Sequence, residues 1–348
     1  MHSQSMIAYR EPLVARDSDT PQPAGSDVVI RIRHCGVCHS DLHMHDGCFH
    51  MGNGKELDVR GGRSLPFILG HEIEGEIVAA GPDATGASIG AHKVVYPWIG
   101  CGTCDACKRG DELYCTRPAH LGITVDGGYA THVKVPHPRY LLDAKGIDPA
   151  FAGACMCSGL TAYSALRKVA AACARGPLLI VGLGGVGMMG LQFARAMFDT
   201  TIMAADIDPV KRAQALDMGA AHAFDPSSPD ARRTLVKQTG GVAAAIDFAG
   251  AESSFDFAQG ALRKGGHLIV AGLIGGSFSM AIPMFPLRAI TLQGSFVGTL
   301  EEAQEVLDLV RSANIQPIPI EKRPLADANR SLDDLRNGAV VGRLVLTP

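Results

Sequence analysis

Between Gly36 and His43 the chain reads Gly-Val-Cys-His-Ser-Asp-Leu-His, which places a thiol, two imidazoles, a hydroxyl and a carboxylate in one short run. Thiolate and imidazole suit a borderline-soft cation such as zinc, and a zinc ion that does chemistry keeps one position open by taking only three protein ligands. Cys38 is the first candidate ligand. His71, in Leu69-Gly70-His71-Glu72, is the second, and a cysteine within Cys155-Met156-Cys157 is the third. A chain with ten cysteines and thirteen histidines offers many accidental triples, so the neighbouring motifs must decide.

Four further cysteines, Cys101, Cys104, Cys107 and Cys115, follow a C-x2-C-x2-C-x7-C spacing, with Gly102 and Gly110 allowing the tight backbone of a metal knuckle. Four thiolates close a tetrahedral shell and leave no room for substrate, which describes a structural zinc site. A nucleic-acid zinc ribbon is disfavoured, because Asp105, Asp111 and Glu112 interleave with Lys108 and Arg109 where a basic flank is needed.

A third pattern belongs to a cofactor. Leu178 to Val181 reads as a buried strand, Gly182-Leu183-Gly184-Gly185-Val186-Gly187 opens a helix at Met188 to Met197, and Thr201 to Ala205 is a second strand ending at Asp206. Strand, glycine turn, helix and a later acid make up the dinucleotide fingerprint, in which the helix N-terminus stabilises a pyrophosphate. Asp206 would accept hydrogen bonds from ribose hydroxyls and repel a 2′-phosphate, which favours NAD over NADP.

With G-H-E at 70 to 72, C-S-G-L-T-A-Y at 157 to 163 and G-R at 342 to 343, these motifs resemble the zinc-containing medium-chain alcohol dehydrogenases over nearly the whole chain. The resemblance implies an α/β protein with a discontinuous, β-rich GroES-like catalytic domain at 1–157 and 299–348, and a doubly wound Rossmann domain at 158–298. It implies NAD and two zinc ions per chain, the catalytic one on Cys38, His71 and Cys157. Cys157 is preferred to Cys155 because the family's ligand directly precedes a stretch like Ser158-Gly159-Leu160-Thr161. Ser40 is implied to hydrogen-bond the zinc-bound alcohol and to pass its proton through the nicotinamide ribose toward His43, because an unperturbed imidazole, with a pKa of about 6.5, suits release to solvent around neutrality. His39 and Arg343 match phosphate contacts of the cofactor, Lys211 matches a ribose contact, and Trp98 matches a wall of the substrate pocket. Asp41 and Glu72 are expected to orient ligands, because metal-bound histidines usually donate their second N–H to an acceptor.

The elements that must position these groups are legible too. Val28 to Arg33 alternates as a half-buried strand, and Ile73 to Val78 and Lys93 to Val95 continue a β-rich first third. Ala244 to Phe248 and His267 to Ala271 read as later strands of the parallel sheet, and the tail at 342–346 returns to strand-like sequence. Thr299 with Glu302 forms a capping box, ahead of the apolar stripe Ala303, Val306, Leu307 and Val310. Cys35, Cys48 and Cys173 read as small core residues. The stretch Cys48 to Ser64 is longer than in compact relatives and is expected to form a glycine-hinged lid, with His45 and His50 as lid or surface residues. Ala91-His92 stands where relatives usually show Gly-Asp-Arg.

At 348 residues the chain suits two domains. A net charge of -3 disfavours nucleic acid and anionic membrane as partners. No apolar run is long enough for a membrane helix, Met1 to Arg10 lacks a signal-peptide layout, and the tight cysteine spacings indicate metal rather than disulfides, so a cytoplasmic enzyme is expected. Its partners would be a small alcohol, aldehyde or ketone and, by the family's habit, copies of itself in a dimer or tetramer. The same resemblance leaves open a dehydrogenase of a polyol, cyclic or acyl-thioester-linked alcohol, or a carbonyl reductase in the cell. A zinc-free quinone reductase or lens-type binding protein of this fold would lack both cysteine sets.

Overall fold

The computed structural model describes residues 1–315 and 317–348. The chain divides into two compact units, Met1–Cys48 with Asp58–Cys157 and Gly298–Pro348, and Phe49–Leu57 with Ser158–Val297. The short segment Phe49–Leu57, assigned to the first domain on sequence, therefore groups with the second unit, and Gly298 groups with the first.

The first unit is built on a sheet of seven strands. Val28–Gly36 is its spine, antiparallel to Glu72–Ala80 on one side and to Arg343–Thr347 on the other. His92–Val95 and Leu141–Leu142 extend one edge, Ile320–Pro324 runs parallel to Arg343–Thr347 at the other, and His132–Val135 also pairs with Val28–Gly36. Val28, Val29, Ile30 and Ile32 are buried, while Arg31 and Arg33 are exposed and share the carboxylate of Glu76. The alternation of apolar and basic residues thus produces a strand with one wet face. The C-terminal strand pairs beside Cys35 and Gly36, so distant sequence is joined to the strand that leads into the Cys38 turn.

The second unit is a parallel six-stranded sheet in the order His222–Phe224, Ile202–Ala205, Leu178–Val181, Val242–Asp247, Leu262–Val270 and Thr291–Gly294. Numbered along the chain this is 3-2-1-4-5-6, the doubly wound dinucleotide-binding arrangement. Leu178 to Val181 is buried at every position, as a strand covered by helices on both faces must be. The helix Gly185–Met197 buries Met188, Met189, Leu191, Phe193 and Ala194 on one side. In the first unit, the helix Leu300–Ser312 carries the capping box in full: the Thr299 hydroxyl accepts from the Glu302 N–H, and Glu302 accepts from the Thr299 N–H. Its stripe Ala303, Val306, Leu307 and Val310 is buried.

Among the described residues no helix is long and apolar enough to cross a membrane.

Candidate active site

Cys38 ends the approach from the sheet and caps the helix His39–Asp46, which Gly47 stops in the left-handed conformation. Asp41, one turn into this helix, is fully buried and accepts the Cys38 N–H at 2.8 Å. The same carboxylate accepts the Tyr129 hydroxyl at 3.0 Å and the Gly70 N–H at 3.2 Å, and lies 3.2 Å from His71 Nδ1. One buried acid therefore ties the Cys38 segment to the His71 segment. Gly70 has to be glycine, since its φ is +93° and a Cβ would sit 2.4 Å from the Tyr129 ring.

Cys157 arrives from a third direction. The helix Pro149–Ala154 passes into a π-helical turn at Cys155–Gly159, a wider coil that often marks functional positions. Sγ of Cys157 lies 3.9 Å from Sγ of Cys38, and ligand atoms of Cys38, His71, Glu72 and Cys157 all fall within 4.8 Å of one another. The close thiol of Cys157 hydrogen-bonds Cys38 and holds the Cys38 thiol well below its ordinary pKa, against the opposing effect of burial.

Zinc fits these residues on geometry and on donor chemistry. Two zinc–sulfur bonds of about 2.3 Å at a tetrahedral angle separate the sulfurs by about 3.8 Å, close to the 3.9 Å found. His71 is buried, and its Nε2 has no hydrogen-bond partner among the described residues, an expensive arrangement unless the atom serves as a ligand. Glu72 is less suited to ligation because its carboxylate is paired with the buried guanidinium of Arg343. Arg343, matched on sequence to a cofactor phosphate, is thus turned into the first unit's interior. Cys155 is also buried, but it is Cys157 whose sulfur joins the Cys38 and His71 donors within 4.8 Å of one another.

The four-cysteine loop is equally compact, with its sulfurs within 4.8 Å of one another. Cys104 and Cys107 are 3.4 Å apart, and both Cys101 and Arg117 donate backbone N–H groups to Cys115 Sγ at 3.3 Å. Hydrogen bonds led by the Thr103 hydroxyl lower the Cys101 thiol to about 5, while burial pushes that of Cys107 up to about 12. Glu112 fastens it to the unit: one oxygen accepts from the Gly100 N–H and the Tyr140 hydroxyl, and the other pairs with Arg139.

In the second unit Gly182 adopts φ of +85°, and a Cβ on Gly187 would fall 1.8 Å from the Gly182 carbonyl oxygen. Nothing lies within 4 Å of the corresponding point on Gly184. Gly184 caps the helix with no side-chain acceptor, which leaves the first-turn N–H groups of Gly185, Val186 and Gly187 directed at that space. Asp206 accepts from Leu183 N and Asp208 N, which orients its carboxylate beside the glycine turn, while Lys211 Nζ lies 3.8 Å from Asp208.

The remaining expectations divide. Ser40 and His43 are half-buried on the helix that starts at His39, and His39 itself is exposed. Trp98 is buried with its indole against the His71 ring. The lid expected at 48–64 is not a loose flap. Cys48–His50 and Glu56–Asp58 pair as a ribbon, His50 accepts from Gly276 N, and Asn53 donates to Ser277. Beyond the ribbon, Arg63 donates to the Ile123 and Val59 carbonyls. His45, expected as a lid or surface residue, is buried and bonded to the Glu11 carbonyl. His92 pairs with Glu74, whose other oxygen holds His34. Glu112, Tyr129 and His120 were missed on sequence. Gly127-Gly128-Tyr129 carried a signal of close packing, since a Cβ on Gly128 would meet Cys35 Sγ at 2.6 Å.

Two family models match the chain, the alcohol dehydrogenase GroES-like domain over residues 24–145 and the zinc-binding dehydrogenase over residues 185–312. An NAD-dependent alcohol dehydrogenase of Sulfurisphaera tokodaii is 34% identical over the full length of both chains. The chain belongs to the zinc-dependent medium-chain dehydrogenase/reductase family. Its fold is shared with the alcohol dehydrogenase of Aeropyrum pernix, at TM-score 0.89 and 29% identity over all of both chains. Acetophenone reductase of Geotrichum candidum, solved with NAD, superimposes at TM-score 0.85 and 28% identity, covering all of this chain and 97% of the other. The protein is an NAD-dependent alcohol dehydrogenase of this family, moving hydride between an alcohol and NAD with aldehyde or ketone as the product.

Proposed function

We propose that this medium-chain dehydrogenase carries two zinc ions per chain: one on Cys38, His71 and Cys157 for chemistry, and one on Cys101, Cys104, Cys107 and Cys115 for structure. The observation that carries the first assignment is the buried pair of thiols 3.9 Å apart beside a buried imidazole whose Nε2 makes no hydrogen bond among the described residues. Bound there, zinc supplies a Lewis acid for the substrate oxygen, and NAD supplies the hydride acceptor.

The chain's own residues do the rest. Asp41 holds the Cys38 turn and the His71 ring in one arrangement through its four contacts. The Ser40 hydroxyl would hydrogen-bond the alcohol and relay its proton, giving up its own hydroxyl proton as it accepts one, through the nicotinamide ribose toward His43, three residues on along the same helix face, which would release it to solvent. Glu72 and Arg343 pair with each other beside the thiols, so neither buried charge is left uncompensated. The glycine turn receives the cofactor pyrophosphate on free N–H groups, and Asp206 and Lys211 meet its ribose. His39 meets a phosphate, and Trp98 borders the substrate.

The substrate is a primary or secondary alcohol. A polyol, cyclic or acyl-thioester-linked alcohol, or carbonyl reduction in the cell, is the second reading; the ketone reductase among the structural relatives favours the reductive direction. The enzyme acts in the cytoplasm. We also assign it a homo-oligomeric state: Ile274 is 55% exposed, Ile282 81% and Leu287 67%, and Thr291–Gly294 is an unguarded edge strand without a charged residue. Such apolar surface beside a free edge suits a second copy.

NADH formation across primary, secondary, aromatic and cyclic alcohols, with zinc counted in the same preparation, tests the reading. Activity with about two zinc ions per chain is expected, and full activity in a protein holding no transition metal refutes it.

A further inference from the structure

Trp98 touches one residue of the first zinc set and the residue that precedes another. Its ring lies 5.4 Å from the His71 ring at 57°, and its Nε1 donates at 3.0 Å to the carbonyl of Met156, the residue before Cys157. The indole therefore braces both the imidazole and the π-helical turn that carries the second thiol. His120 closes the other side, edge-on at 5.4 Å and 80°. Its main chain is rigid, since the His120 carbonyl accepts from Thr124 N at 2.9 Å and from the Thr124 hydroxyl at 3.3 Å.

Trp98 and His120 sit on the two limbs of a single loop. Ala119 N donates to the Ile99 carbonyl at 2.8 Å and Leu121 N to the Pro97 carbonyl at 3.1 Å, so the limbs run as a short antiparallel ladder. The far end of that ladder is the loop bearing Cys101, Cys104, Cys107 and Cys115. A metal on four thiolates closes this loop, and closure offsets the entropy of keeping the limbs in register. Without it, the limbs rely on these two backbone hydrogen bonds, the Cys101 N–H to Cys115 Sγ and Arg117 to Thr103 hydrogen bonds, and the Glu112 anchor.

We propose that Trp98 is a positioning residue that couples the four-cysteine site to the Cys38, His71 and Cys157 site, so that filling the first sharpens the hold of the second on its metal. The inference rests on the reading that both sets hold zinc. Its physical basis is ordinary: a ligand ring that can rock and a thiol on a shifted turn both bind a metal less well. Loss of such supporting partners typically lowers affinity about 10- to 100-fold.

The test uses full-length protein loaded with zinc, with release followed by a coloured chelator. Trp98 is the only tryptophan, so its emission and its quenching by acrylamide report on the brace without reference to activity. Wild type should release two zinc ions in two phases, and Cys157→Ser identifies the phase of the three-residue set by lacking it. In Trp98→Leu that phase should accelerate about 10- to 100-fold while the four-cysteine phase keeps its rate. Trp98→Phe retains a ring against His71 but loses the N–H, and should fall between. Cys104→Ser/Cys107→Ser should show faster release of its remaining zinc and a red-shifted, more quenchable Trp98. Both phases at wild-type rates in Trp98→Leu overturn the proposal, whether or not the cysteine variant folds. Equal acceleration of both phases overturns it as well, because that marks general loosening. A wild type with no zinc on the three-residue set removes the underlying reading and this proposal together.

Discussion

The glycine turn at 182–187 allows folding and cofactor binding to be separated by single methyl groups. On Gly187 a Cβ would lie 1.8 Å from the Gly182 carbonyl oxygen, and real Cβ contacts essentially never fall below 3.0 Å. Helix and turn must therefore part by at least 1.2 Å, the difference between those two distances. The obstacle is main chain, which no rotamer change relieves. Overpacking of this kind costs about 1–3 kcal/mol, and at the upper end about 6 to 12 °C in melting temperature. On Gly184 the same methyl meets nothing within 4 Å, at φ of -69° and ψ of -170°, where any residue fits. Gly184→Ala should melt within about 2 °C of wild type, a few tenths of a kcal/mol. Its methyl instead occupies the space into which the pyrophosphate must come, so NADH affinity should fall at least about tenfold, or about 1.4 kcal/mol. Thermal unfolding without cofactor and fluorescence titration with NADH measure the two effects separately. Wild-type NADH binding by Gly184→Ala would show that this turn does not receive the cofactor as argued, and a wild-type melting temperature for Gly187→Ala would show that helix and turn are not packed as closely as argued.

The other expectations follow from the metal sets and the buried charges. Cys157→Ser should lose one zinc ion per chain while Cys155→Ser keeps both; the opposite result by metal analysis would transfer the ligand role to Cys155. Glu72→Leu strands the buried Arg343 guanidinium and should cost about 3–5 kcal/mol in denaturant unfolding. The double variant Glu72→Leu/Arg343→Met should recover part of that loss, and a purely additive cycle would mean the pair is not coupled. His43→Gln should slow alcohol oxidation mainly below neutral pH, where proton release to solvent is hardest, and a pH–rate profile superimposable on wild type would remove His43 from the proton path.

What could be read in the chain and what could not differ by the range of the interaction. The glycine turn, its flanking strand and helix, the capping box at Thr299 and Glu302, and the four-cysteine spacing are local. Each is set by backbone freedom, helix-end chemistry or ligand spacing over a few residues, and each appears in the structure at those positions. Family likeness added Cys157, which periodicity could not separate from Cys155 two residues away. The fold places Cys157 Sγ against Cys38 through a π-helical turn, a local coil width that sequence pattern does not announce.

The partners of the buried charges were set only by the tertiary structure. Arg343 reads from sequence as a phosphate contact, and only the pairing of the C-terminal strand beside Gly36 shows that its guanidinium also rests on Glu72. Asp41 could be called an orienting acid from its position, but its hold on both Cys38 and Gly70 needs two strands to converge. The expected lid became a ribbon bound at its tip because Gly276, Ser277 and Asn53 meet across more than two hundred residues of sequence. Sequence alone determined which chemical groups were available and the turns that carry them, since those depend on neighbouring residues. Which groups share a proton, a charge or a metal was decided by the fold, because a buried group takes its partner from whatever main chain packs against it.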